Sequence, residues 1–119
     1  MSDGKRLARG YVAWLPVIAY MGIIFVLSAQ PKLPTPPGLL GWDKFQHYLA
    51  YMVMGLLLIR AAYGMPLALI IGAAYAASDE YHQSFVPGRN MDVRDWLADV
   101  AGLLVALAVV YLYRRYRRR

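Results

Sequence analysis

Apolar and polar positions alternate along this chain in long blocks. Residues 11–29, YVAWLPVIAYMGIIFVLSA, carry no charge, and at about 1.5 Å per residue such a run can cross roughly 30 Å of hydrocarbon. Basic residues precede it, as in a signal peptide. However, the run is long for that role and Leu27 fits poorly before a cleavage point at Ala29, so an uncleaved first span is expected. Pro16 lies about one turn inside, where a mild kink is tolerable. Further spans are expected at 44–63, 66–83 and about 92–113. The stretches between them are QPKLPTPPGLLGW, YGMP and SFVPGRNM. The four prolines of the first cannot continue a helix, and it reads as an ordered loop over the membrane surface. Asp43 is the expected N-cap of the second span, and Pro66 opens the third in its first turn, where a missing N–H costs little.

The pattern predicts an all-α polytopic membrane protein, a four-transmembrane-helix bundle forming one domain over residues 1–119. Composition agrees. The chain is 60% hydrophobic, against roughly 45–50% for soluble domains. With no cysteine there is neither a disulfide framework nor a cysteinyl metal site. The net charge of +6 is concentrated: KRLAR and RRYRRR hold eight of the thirteen basic residues. Such clusters can bind nucleic acid, but these flank apolar runs and read instead as anchors on anionic lipid, so no nucleic-acid partner is expected. Four spans place both termini and YGMP on one side with nine basic residues, against four (Lys32, Lys44, Arg89 and Arg94) on the other. The positive-inside rule then puts both termini in the cytoplasm.

The acids sort oppositely. Asp43, Asp79, Glu80, Asp92, Asp95 and Asp99 all fall at the outward ends of spans two, three and four. At 3.6 residues per turn, one stripe carries Asp43, His47, Tyr51 and Gly55. A second carries Ala68, Gly72, Ala76 and Glu80, with Gln83 beside Glu80, and a third carries Asp92, Asp95, Asp99, Gly102 and Ala106. Small residues at this spacing let membrane helices approach closely. If those stripes are the contact faces, the polar groups point into the bundle, where charge is least costly.

Several residues then become candidates for chemistry. Glu80 and His47 are the candidate acid and base, with an ion pair to Arg89 or Lys44 the structural alternative for Glu80 and helix packing the alternative for His47. Arg89, after a Pro-Gly turn, either holds carboxylates together or offers its fork to a phosphate or carboxylate. Asp95 and Asp99 either cap the fourth helix and pair with Arg89 or ligate a cation, while Asp92, nearest the helix start, is the more exposed. Lys44, Asp43 and Gln83 complete the ligand-binding set. His47, Glu80, Asp95 and Asp99 form a set with one imidazole that suits magnesium, calcium or manganese better than zinc, although no local ligand motif is present. His82 is about 200° from Glu80 and should face away. Tyr75, Tyr81, Trp42 and Trp96 read as aromatic belts. Ser78 and Ser84 lack a nucleophile-elbow context.

DKFQHYLAY (Asp43, Lys44, His47, Tyr51) and SDEYHQSFVPGRNMDVRDWLADVAG resemble the VanZ-like family of small bacterial membrane proteins. In the second stretch Ser78, Glu80, Gln83, Phe85, Pro87, Gly88, Arg89, Asp92, Asp95 and Gly102 resemble its motif positions, whereas His82 does not, and Asp99 stands where the family often has asparagine. The resemblance covers nearly the whole chain and implies a four-helix protein of the bacterial cytoplasmic membrane. The family takes its name from resistance to the glycopeptide antibiotic teicoplanin. Three functions are open on these residues. One is a protein that binds or modifies a lipid-linked component of the cell envelope, with Arg89 and Lys44 at head-group depth. The second is a hydrolase or transferase of such a lipid, using His47 or Glu80 and a divalent cation. The third is proton- or cation-coupled transport, for which four short helices leave little room unless the chain forms an oligomer.

Overall fold

The computed structural model describes residues 3–30 and 41–119, apart from the side chains of residues 3–9. Four helices follow one another: α1 Asp3–Ser28, α2 Trp42–Ala61, α3 Met65–Gln83 and α4 Val93–Arg117. The all-α class matches the expectation. The proline-rich loop and Lys32 fall in residues 31–40, outside the described residues. Helix α4 runs past residue 113 into the arginine tail, where Arg114, Arg115 and Arg117 occupy its last turn. Arginine is a good helix former, and its charge favours the negative end of the helix dipole.

The helix starts follow local chemistry, with one correction. Gly41, not Asp43, is the N-cap of α2. It adopts φ 80°, a left-handed conformation that a residue without Cβ takes freely, and its carbonyl accepts the Phe45 N–H at 3.0 Å. Asp43 lies inside the first turn, where its charge still suits the helix dipole. Pro66 sits in the first turn of α3, as expected. Asp92 caps α4, its side chain accepting the Arg94 N–H at 2.8 Å, so neither Asp95 nor Asp99 is the cap. Between α3 and α4, the Arg89 N–H bonds the Val86 carbonyl at 3.1 Å with Gly88 at φ 81°. That is the positive φ a Pro-Gly turn requires at its third position.

Helix α2 packs most extensively against α4, and also against α1 and α3. The close approaches fall on the small residues of the three stripes. A Cβ on Gly55 would lie 2.8 Å from Ala106 Cβ, and one on Gly72 would lie 2.7 Å from the Leu103 side chain. Gly102 presses directly on the α2 backbone at the Tyr48 carbonyl and the Met52 amide. Tyr51, Met54, Leu58 and Leu103 fill the space between. Polar ties join the helices as well: Tyr20 donates to the Ala50 carbonyl at 2.6 Å, Tyr75 to the Met21 carbonyl at 2.6 Å, and Trp96 to the Ala73 carbonyl at 3.1 Å. Tyr75 and Trp96 therefore bind helix to helix. An aromatic ring with one polar atom can fill a contact and satisfy a buried carbonyl together.

Among the described residues, two helical stretches, Gly10–Ser28 and Val93–Arg117, are long and apolar enough to cross a membrane. Helices α2 and α3 carry polar residues at one end (Asp43, Lys44 and His47; Ser78 to Gln83), which dilutes their apolar runs. Along α1, Leu15, Ile18, Ile23, Val26 and Leu27 are all more than half exposed. In water such a continuous apolar face would be a liability, whereas in lipid it costs nothing.

Candidate functional site

Because the helices alternate in direction, the C-terminal ends of α1 and α3 and the N-terminal ends of α2 and α4 meet at one end of the bundle, opposite the chain termini. The three stripes arrive there side by side, with Asp43, His47 and Asp92 half-buried at the outer end. Ala68, Gly72, Ala76, Glu80 and Gln83 are all buried on α3, as are Asp95, Asp99, Gly102 and Ala106 on α4. Polar residues one or two turns beyond a small-residue contact are carried inward with it.

His47 lies among three carboxylates. Its Nδ1 is 2.8 Å from Asp99 Oδ1 and 4.0 Å from Glu80 Oε1, and its Nε2 is 3.8 Å from Asp95 Oδ2. Asp99 is fully buried and Glu80 only 4% exposed, so Asp99 is the more completely enclosed acid. Glu80 Oε2 accepts the Asp92 backbone N–H at 3.3 Å. Lys44 holds the mouth of the cluster, its ammonium 2.6 Å from Asp95 Oδ1, 2.7 Å from Asp43 and 3.2 Å from Asp92. Arg94 clasps Asp92 at 3.3 Å. The Arg94 backbone N–H, then its guanidinium and then Lys44 hold the Asp92 carboxyl, just outside the fourth helix, down at about 2.

Five carboxyl groups (Asp43, Glu80, Asp92, Asp95 and Asp99) thus face two full cations, Lys44 and Arg94. Glu80 Oε1 and Asp99 Oδ2 are buried with no hydrogen-bond partner, and Asp95 Oδ1 meets the Lys44 ammonium as an ion pair outside hydrogen-bonding direction. A buried acceptor left unsatisfied costs about 1–3 kcal/mol, and more when charged. One nitrogen of His47 and one oxygen each of Glu80 and Asp95 lie within 4.8 Å of one another, a spacing a cation can bridge.

Residues 11–114, which include every candidate discussed above, match the VanZ/LLP1 family. The chain belongs to that family. No curated protein and no solved structure matches it. Family membership together with the two apolar helices points to a membrane protein.

Within this VanZ/LLP1 chain, Arg89 departs from the first of its two expected roles, that of holding the carboxylates together. It neither gathers the carboxylates nor pairs with Glu80, Asp95 or Asp99. Its Nε donates to the Gln30 carbonyl at 2.5 Å and its Nη2 to the Leu27 carbonyl at 3.4 Å. The Leu27 carbonyl lies in the last turn of α1 and also accepts the Gln30 N–H at 3.2 Å, and the Gln30 carbonyl follows just past the helix, so a cation sits at the negative end of the helix dipole. Gln83 is buried beside Glu80, as its spacing implied.

A second polar group lies behind the first. Tyr51 donates to Asp79 Oδ2 at 3.4 Å, and Ser28 reaches both Asp79 and His82 Nδ1, the latter at 3.4 Å. His82 stacks on Phe25, ring centroids 4.3 Å apart, and so turns to α1 and away from Glu80, as the helix geometry predicts. Asp79, 5% exposed, was not among the candidates. Tyr51 was the available signal: it follows His47 by one turn on the same buried stripe, and a buried phenol requires an acceptor.

Proposed function

We propose that this is a four-span protein of the bacterial cytoplasmic membrane with both termini in the cytoplasm, folded as one domain over residues 1–119. In this reading its outward polar cluster binds or modifies a lipid-linked component of the cell envelope. The observation that carries the reading is the convergence of His47, Glu80, Asp95 and Asp99 from three helices at one end of the bundle, with carboxylate oxygens left unpartnered in a buried setting. Lys44 already meets three carboxylates and Arg89 two carbonyls, so the buried groups left to meet a ligand are acceptors. The part of the lipid they engage is rich in hydroxyl or amine donors, or is an anion reached through a cation.

The His47–Asp99 pair favours a second reading within the same site. An imidazole whose Nδ1 bonds a buried carboxylate at 2.8 Å has its tautomer and orientation fixed, with Nε2 free to take a proton. That suits a hydrolase or transferase with His47 or Glu80 as acid or base. The test uses purified protein with lipid-linked cell-wall intermediates, following binding and turnover with and without divalent cation. Binding that survives Glu80→Gln with modest loss supports a binding protein. Turnover that collapses in Glu80→Gln while the fold holds supports the enzyme. Neither binding nor turnover of any envelope lipid would overturn both.

A further inference from the structure

We infer that His47, Glu80 and Asp95 bind one divalent cation of the manganese type, with Asp99 as the positioning residue of His47. The inference takes the polar end of the bundle as the functional site, and so rests on that part of the proposed function. It does not depend on which lipid is handled, and it gives His47 Nε2 to the ion instead of to the proton transfer of the second reading.

Three independent features support it. The first is spacing. One atom from each of His47, Glu80 and Asp95 lies within 4.8 Å of the others, and His47 Nε2 is 3.8 Å from Asp95 Oδ2. Ligand atoms around a six-coordinate ion at about 2.2 Å sit roughly 3.1 Å apart when adjacent and about 4.4 Å apart when opposite. Small side-chain rotations complete such a shell. The second is the unpartnered oxygen of Glu80. Glu80 Oε1, in a residue only 4% exposed, has no hydrogen-bond partner and lies 4.0 Å from His47 Nδ1, so it swings towards the Nε2 side to complete the shell. Neither Lys44 nor Arg94 pairs with that oxygen, and the group facing it in the cluster is the His47 ring. Lys44 takes Asp95 Oδ1 and leaves Oδ2 towards His47.

The third is the support behind the imidazole. A metal-bound histidine commonly gives its other ring N–H to a carboxylate, which fixes the tautomer and raises ligand basicity. His47 Nδ1 meets Asp99 Oδ1 at 2.8 Å, which leaves Nε2 for the ion. An asparagine in place of Asp99 would still accept that N–H through its amide oxygen, so the positioning role tolerates the change. One imidazole with two carboxylates, and water in the remaining positions, suits a cation hard enough for oxygen and tolerant of nitrogen. Mn²⁺ meets both conditions, whereas Ca²⁺ and Mg²⁺ prefer oxygen alone.

The test is Mn²⁺ binding by the full chain in detergent after chelator treatment, without lipid. Electron paramagnetic resonance reads free Mn²⁺ by the loss of its aqueous signal, and pulsed measurements read nitrogen coupling from a bound imidazole. The expected result is one saturable Mn²⁺ per chain with nitrogen coupling. His47→Ala should abolish that coupling, and His47→Ala and Glu80→Gln should each weaken binding at least about tenfold. Asp99→Ala should weaken binding by roughly 10–100-fold, with Asp99→Asn recovering most of the loss, and His82→Ala should leave it unchanged. Wild-type protein that binds no Mn²⁺, or binds it without nitrogen coupling, overturns the inference whatever the variants do. So does undiminished binding in folded His47→Ala and Glu80→Gln, verified by circular dichroism. Mn²⁺ bound as expected with no envelope lipid bound or turned over would overturn the proposed function and leave the metal site standing.

Discussion

The contact between α2 and α4 at Gly102 offers a sharp test of how the polar cluster is held. A Cβ at residue 102 would lie 2.8 Å from the Met52 backbone nitrogen and closer still to the Tyr48 carbonyl, against roughly 3.5–4.0 Å for comfortable contact. Both obstacles are backbone, so neither can rotate aside, and Gly102→Ala must part the two helices by about 1 Å. Overpacking of this kind costs about 1–3 kcal/mol, and the backbone clash places this case at the upper end. The alanine gains at most about 1 kcal/mol in helix propensity, so the net change is about 2 kcal/mol of destabilisation, or on the order of 10 °C in apparent Tm for a domain near this size. Tyr48 adjoins His47, and Gly102 follows Asp99 by one turn, so the same displacement opens the His47–Asp99 contact. The assay is tryptophan-fluorescence unfolding in detergent beside Gly22→Ala, whose added Cβ meets nothing within 4 Å and which should match or exceed wild type. Equal or raised stability in Gly102→Ala would refute the close α2–α4 crossing.

Tyr75→Phe removes the bond to the Met21 carbonyl and should cost about 0.5–1.5 kcal/mol, read as a lower unfolding temperature and faster proteolysis of α1. Arg89→Ala should expose the 84–92 loop to protease and loosen the end of α1 while leaving divalent-cation binding intact, because the guanidinium serves the Leu27 and Gln30 carbonyls. Complete loss of cation binding in that variant would contradict the assignment. For Asp92, whose folded carboxyl lies below its unfolded value, the sign is that of a stabilising charge present above the unfolded pKa. The unfolding-temperature gap between wild type and Asp92→Ala should stay constant from pH 7 to about 5 and shrink only as pH falls towards about 2. A gap that closes by pH 6 would show that another group sets it.

The buried stripes were legible in the sequence because two independent patterns coincided on them. Gly55, Gly72 and Gly102 mark where helices can touch, and His47, Glu80 and Asp99 lie on the same lines one or two turns away. Membership of the α3 line, from Ala68 through Gly72 and Ala76 to Glu80, follows from spacing alone. Helix faces are periodic, so spacing is enough to assign them. Arg89 was not legible in this way. It lies in a turn, and its partners are the Leu27 and Gln30 carbonyls, backbone atoms some sixty residues away whose identity no side-chain pattern encodes. The same holds for Tyr75 and Trp96, whose polar atoms found the Met21 and Ala73 carbonyls. Asp43 was misplaced as a cap because Asp is a good N-cap by type, while the preceding Gly41 could take the left-handed turn that starts the helix two residues earlier. Asp79 was passed over beside Glu80, although its position one step round α3 brings it to Tyr51.

Paired-cysteine linking in native membranes tests the convergence of α2 and α4 at the polar cluster most directly, since the chain has no cysteine of its own. His47→Cys with Asp99→Cys, treated with a short bifunctional methanethiosulfonate, which releases one sulfinate for each cysteine joined, should link within one chain as readily as a Met21→Cys/Tyr75→Cys reference pair, while His82→Cys with Asp99→Cys stays unlinked. Linking of the reference pair with none between positions 47 and 99 would contradict the account.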